Sequence, residues 1–151
     1  MTDADLVEKK LAAVETCVGE IRRLADPARI ATDVREERFV EHTLQIAVQA
    51  VLDVASHIVS DERLGEPRTN RELFTLLRRA AWLPSELADA LSAMAGFRNV
   101  LVHGYDDVDV GIVRDVVVNR LDDLSRFADC IRLRLREDGA PPVATEPPGH
   151  V

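Results

Sequence analysis

The chain has 151 residues, of which 46% are hydrophobic and 30% charged, and its formal net charge is -8. That length suits one domain with a real core, and that composition excludes a disordered chain. The acidic balance excludes broad nucleic-acid binding driven by phosphate neutralisation, though a local basic site stays open.

A helical period dominates from the start. Val7, Leu11, Val14, Val18 and Ile21 form one stripe. "DPAR" at 26–29 breaks it, because Pro27 biases Asp26 away from the helical region. A second helix is expected to open at Asp33, with Glu36 three residues on in the manner of a capping box. Its stripe is Val40, Leu44, Ala47, Val51, Val54, Ala55 and Ile58, and the run "IAVQAVLDVASHIV" is apolar on more than one side. This segment is therefore expected at the centre of a bundle, with "GEPR" at 65–68 ending the region. Thr69-x-x-Glu72 is a cleaner capping box and starts a third, shorter helix carrying Leu73, Phe74, Leu76 and Leu77. Pro84, as a first-turn residue, begins a fourth, with Leu87, Leu91, Met94 and Ala95 inward. A last helix is expected from about Asp109 to about Arg136, with Val113, Val117, Leu121, Leu124, Ala128, Ile131 and Leu135 in register. The run Arg132-Leu-Arg-Leu-Arg136 reads as a solvated helix face suited to the helix dipole rather than as an RNA-binding strip.

These segments predict an all-α, antiparallel helical bundle of about four to five helices over residues 1–137. The tail at 138–151, rich in Pro, Gly and Ala, is expected to be disordered. One apolar stripe is left over, so a homodimer is expected. Apolar runs are only a few residues long, far short of the roughly 20 that span a bilayer, so no membrane partner is expected. "MTDADLVEKK" lacks a basic region followed by an apolar stretch, which predicts no secretory signal. Cys17 and Cys130 lie far apart and read as reduced thiols of a cytoplasmic protein. No CxxC or HExxH spacing points to a metal, and no cofactor is expected.

The reactive side chains concentrate in "FRNVLVHGYDD", from Phe97 to Asp107. Arg98 and His103 would lie about 140° apart on an unbroken helix. Gly104 is a C-terminal cap signal, so the fourth helix should end at His103. Arg98, His103 and Tyr105 could then converge on one polar edge. Histidine titrates near neutrality and can take the proton of a ribose 2′-OH or give one to a leaving oxygen. Arginine can bind two phosphate oxygens where the transition state gains charge. Asn99 is a further polar contact, or it holds a backbone group at the helix end. Taken alone, an Arg and a His at a helix end more often cap and pair. Asp53 and His57 are spaced to meet on one helix face as an ordinary pair, or to line the cleft in support of the site.

The string "MAGFRNVLVHGYDDVD", from Met94 to Asp109, resembles the signature of HepT-like proteins in the HEPN superfamily. Their Arg-x4-His-x-Tyr motif is filled here by Arg98, His103 and Tyr105. "DVASHIVSDE" and "ELFTLLRRAAWLP" are similar to the same family, and the likeness spans roughly residues 5 to 135. The resemblance implies an all-helical homodimer acting as a metal-independent ribonuclease toxin of a toxin–antitoxin pair. Arg98 and His103 would be catalytic in a cleft between subunits, on an RNA substrate, with tRNA and mRNA both open. The resemblance also implies an MntA-like nucleotidyltransferase antitoxin that transfers AMP to Tyr105. The chain departs from the usual motif at Gly104, where a polar residue is common. Two other readings stay open: a non-catalytic HEPN module that only partners the transferase, and a structural bundle in which Arg98 and His103 merely cap and pair.

Overall fold

The computed structural model of the protein describes residues 2–103 and 109–139, and within them the side chains of residues 102, 103 and 139 are left undescribed. The described residues form an antiparallel all-α bundle without strands. Helix α1 spans Ala4–Leu24, α2 Val34–Asp61, α3 Asn70–Arg79 and α4 Ser85–His103. A single 3-10 turn, Pro27–Arg29, fills the break between α1 and α2. The last rod consists of α5, Val110–Asp115, a π turn over Val116–Arg120, and α6, Leu121–Gly139.

Helix α2 is the axis, since α1, α3, α4, α5 and α6 all pack on it. Its length and apolarity would suffice to cross a membrane. Here that apolarity is met by other helices, with Val40, Leu44, Ala47, Val51, Ala55 and Ile58 all buried. The stripe of α1 packs against it, and Val7, Leu11, Val14, Val18 and Ile21 are buried as their spacing predicts. Phe74 of α3 meets Phe127 of α6 edge to face, ring centres 6.4 Å apart at 84°. Such a pair adds to the hydrophobic gain of burying both rings.

The helix ends follow simple capping chemistry with shifted partners. Asp33 caps α2 by accepting from the Arg35 N–H, but Glu36 accepts from the Asp26 N–H rather than turning back to Asp33. Thr69 accepts from the Glu72 N–H at 3.3 Å, while Glu72 accepts from Arg68 at 2.6 Å instead of Thr69. Neither box therefore closes reciprocally; each glutamate anchors the chain upstream of its cap. Pro84 stands just before α4, and its carbonyl accepts from the Ala88 N–H.

Helices α2 and α3 both stop in a Schellman turn built without glycine. The Leu64 N–H reaches the Val59 carbonyl and the Arg63 N–H the Ser60 carbonyl, with Arg63 at φ 53°. Trp82 and Ala81 repeat the pattern on Leu77 and Arg78, with Ala81 at φ 62°. A left-handed residue satisfies carbonyls that the helix end leaves open.

The final helix is not the single regular run its stripe suggests. The π turn at Val116–Arg120 inserts extra backbone, which lets both Val116 and Val117 reach the core. Leu121, Leu124, Ala128 and Ile131 are buried as expected, and Leu135 is half-buried. The helix extends to Gly139, and the remaining expected tail, residues 140–151, lies outside the described residues.

In the basic run near the end of α6, Arg136 is exposed as expected, but Arg132 and Arg134 are engaged rather than solvated. Arg132 donates to both oxygens of Glu8, at 2.7 and 3.0 Å, and also pairs with Glu15, clamping α6 to α1. That hydrogen bonding holds the Glu8 carboxyl below its ordinary range. Arg134 donates to the Ala80 and Ala81 carbonyls at 3.1 Å and lies 5.0 Å from the centre of the Trp82 ring. It thereby covers the carbonyl end of α3.

Candidate functional site

The site grows from the last two turns of α4. Leu91, Met94 and Ala95 bury one side of this helix, and Leu101 continues that contact. Arg98 follows Ala95 by three residues and Met94 by four, so it leaves the helix on the flank of this buried side. It is half-buried, whereas Asn99 and Val100 beside it are exposed. The described part of α4 runs through His103, and the cap expected at Gly104 lies outside the described residues. By position, the His103 backbone stands one helical turn after Asn99 and about 140° around the axis from Arg98. Gly104 and Tyr105 lie outside the described residues, so the expected convergence with Tyr105 falls there too.

Arg98 opens into a cavity of about 300 Å³ between α1, α2 and α4. Lys10 comes from α1, and Gln45, Ile46, Gln49 and Asp53 come from successive turns of α2. Asp53 is the hub. Its Oδ2 accepts from Lys10 Nζ at 3.1 Å, and its Oδ1 accepts from Gln49 Nε2 at 2.8 Å. Both carboxylate oxygens are thus engaged, which fixes the ammonium and the amide on the cavity wall. The Arg98 Nε is shielded from water and has no hydrogen-bond partner among the described residues. A buried donor left unmatched costs about 1–3 kcal/mol.

Charge separates this cavity from its neighbours. Its lining holds two cations, Lys10 and Arg98, and one anion, Asp53, for a balance of +1. The cavity of about 450 Å³ between α4 and α5 is lined by Glu86, Asp89, Asp115 and Arg120, for a balance of -2. One near the π turn has Arg22 and Asp122, which cancel. In a chain of net charge -8, the Arg98 cavity is the one of these three that favours an anion.

Asp53 and His57 do not form the pair their spacing allows. His57 Nε2 lies 3.1 Å from Asp61 Oδ2 and 3.4 Å from the Asp3 N–H. The cause is competition: Asp53 is already held by Lys10 and Gln49, and His57 has a second carboxylate one turn on. His57 instead lines an adjoining cavity of about 370 Å³ with Ser56 and Ser60, and Lys10 and Asp53 form the wall common to both. Of the residues named from the sequence, Arg98 and Asp53 therefore share a site, His57 is one cavity away, and Asn99 stands exposed at the rim. Lys10 and Gln49 were missed. The Gln49–Asp53 spacing of four was a legible signal, but Lys10 reaches Asp53 only through tertiary packing.

A model of the family described as "Ribonuclease HepT-like" matches residues 14–131. The chain is 33% identical over 129 residues to the mRNA nuclease HepT of Shewanella oneidensis, covering 85% of this chain and 97% of that protein. It is 39% identical over 74 residues to the tRNA nuclease HepT of Aphanizomenon flos-aquae, about half of each chain. Its fold superposes on the tri-AMPylated HEPN toxin of Shewanella oneidensis, solved in complex with an MNT antitoxin. The TM-score is 0.80 at 32% identity, covering 87% of this chain and 99% of that one.

Proposed function

The chain belongs to the HepT-like ribonuclease family, and from that premise we propose that it is the toxin of a toxin–antitoxin pair, cutting RNA through Arg98 and His103. The observation that carries the reading is the half-buried Arg98 in a net-positive cavity, on the same helix as His103 and five residues before it. The scissile phosphate sits on the Arg98 guanidinium. A histidine takes the proton of the ribose 2′-OH, whose oxygen attacks the adjacent phosphorus. The 5′-oxygen leaves and is protonated, and a 2′,3′-cyclic phosphate remains. Arg98 and His103 start about 140° apart on α4. A second copy of the chain supplies the complementary pair, so the working unit is a homodimer with one histidine as base and the other as acid.

Regulation acts at Tyr105. A minimal nucleotidyltransferase partner transfers AMP from ATP: the phenol oxygen attacks the α-phosphorus, pyrophosphate leaves, and the phenolic proton passes to a base. The added phosphate and its bulk stand two residues from His103, where they compete for Arg98 and repel an RNA backbone. Support comes from the Shewanella oneidensis relative, a tri-AMPylated toxin held by its MNT antitoxin. On this reading the protein acts in the cytoplasm, where RNA and ATP both occur.

The test is RNA cleavage by the purified, unmodified chain in excess EDTA, beside His103→Ala. Mass spectrometry first establishes that Tyr105 carries no nucleotide. Cutting by the wild type and none by the variant is expected. Equal absence of cutting by both, on total RNA and on tRNA, would refute the reading.

A further inference from the structure

We propose that Lys10 is a second phosphate-binding cation of the Arg98 cavity, held in place by Asp53, and that it takes the backbone phosphate next to the scissile one in a single-stranded RNA. The inference rests on the ribonuclease reading and extends it to a residue outside the Arg-x4-His-x-Tyr motif.

Lys10 stands on α1, 88 positions before Arg98 in the chain, yet both line the same cavity of about 300 Å³. Its ammonium has three donors. One goes to Asp53 at 3.1 Å, and the side chain is 43% exposed, so the others face solvent or a ligand. Asp53 does not cancel the site, because Arg98 keeps the lining at +1. Asp53 also uses its second oxygen on Gln49, which fixes the carboxylate from α2 and leaves Lys10 hung between two helices. A lysine so restrained loses less freedom on meeting a phosphate than one free on a surface.

The adjoining cavity offers the strand a continuation past Lys10. Lys10 and Asp53 form the wall shared with the neighbouring cavity, which is lined by Ser56, His57 and Ser60. A chain entering at Arg98 and passing Lys10 continues toward these hydroxyl and imidazole groups. The acidic groove between α4 and α5 offers no such path, as its lining balances at -2.

The experiment compares the full-length chain with Lys10→Ala and Lys10→Arg. Binding of a fluorescein-labelled single-stranded RNA is read by anisotropy in the His103→Ala background across salt concentrations, and cleavage kinetics are read in the active chain. One lost phosphate contact lowers the slope of log affinity against log salt by about 0.7. Between 50 and 200 mM salt, Lys10→Ala should therefore lose about 2.6-fold less affinity than its parent. KM should rise about fivefold with kcat within about twofold, and Lys10→Arg should restore both slope and KM. A Lys10→Ala chain with the parental slope and KM overturns the proposal while leaving the ribonuclease reading intact. So does one whose kcat and melting temperature fall together at an unchanged slope, since Lys10 would then serve only to join α1 and α2. A wild-type chain that neither binds nor cuts RNA overturns both.

Discussion

Replacing Glu41 by glutamine should stabilise the protein above neutral pH and leave it unchanged in acid. Glu41 and Glu37 face the same side of α2 one turn apart. Burial first, then the Glu37 charge and a hydrogen bond shared with it, push the Glu41 carboxyl up to about 7 from an ordinary 4.5. One oxygen of Glu41 is shielded from water and has no partner among the described residues. A folded-state value raised this far favours the protonated form by roughly 3 kcal/mol, at about 1.4 kcal/mol per decade. Solvent reaches this partly exposed side chain and screens the effect, which leaves on the order of 1 kcal/mol. The direction follows from proton linkage. Below pH 4.5 both folded and unfolded chains hold the proton and nothing is lost. Between 4.5 and about 7 the unfolded chain ionises first, so folding weakens as pH rises, and above 7 the loss is constant. Glutamine cannot ionise. Thermal unfolding followed by circular dichroism should therefore show Glu41→Gln melting about 2–4 °C higher than wild type at pH 8, with no difference at pH 4.5. The same increment at both pH values, or a lower melting point at pH 8, would refute the reasoning.

Ala81→Gly should raise stability by about 1 kcal/mol in urea unfolding, because it removes the left-handed penalty at φ 62°. Phe127→Ala should lower it by about 3–5 kcal/mol, since the ring is fully buried against Phe74. Thr69→Ala should cost about 1 kcal/mol through the lost cap on α3, readable in the same titration. Arg98→Met should abolish RNA cleavage while the melting temperature holds or rises, because the variant removes a buried, unmatched donor and keeps the apolar stem.

Stripes and breaks were readable because each depends on a few neighbours in sequence. Val7 to Ile21 and Val40 to Ile58 bury as their period requires, and the breaks after α1 and α3 fall where Pro27 and Pro84 place them. The ends of α2 and α3 were not readable. Their left-handed residues are Arg63 and Ala81, which carry no glycine signal; the strain is accepted because the turn satisfies two carbonyls and buries Trp82. The π turn was equally hidden, since the regular stripe of Val113, Val117 and Leu121 gives no sign that Val116 also turns inward. Long-range ion pairs were the largest gap. Arg132 looks solvated in sequence because Glu8 and Glu15 stand more than a hundred residues away. His57 chose Asp61 over Asp53 for a reason lying on another helix, Lys10. Arg98 itself was legible only as a residue type at a spacing. Its cavity, and the cation across it, required the fold.

The arrangement around Arg98 runs against stability in a way that its neighbours do not. Other arginines of the bundle that cross between helices are matched: Arg132 by two glutamates, Arg134 by two carbonyls and a ring, Arg126 by Glu86. Asp53 is near enough to line the same cavity as Arg98, yet both its oxygens go to Lys10 and Gln49. A bundle arranged for stability alone would pair that carboxylate with the guanidinium, since a bidentate pair is stronger than a single ammonium contact. With Asp53 held elsewhere, no carboxylate among the described residues pairs with Arg98. A cation engaged by a carboxylate must break that bond before it can stabilise a phosphate, whereas an unengaged one is already prepared for the transition state. Among the described residues, the unmatched Nε, the diverted Asp53 and the cationic balance of the cavity are then one feature of how α1 and α2 are wired, and it is the feature on which the proposed phosphate contact of Arg98 rests.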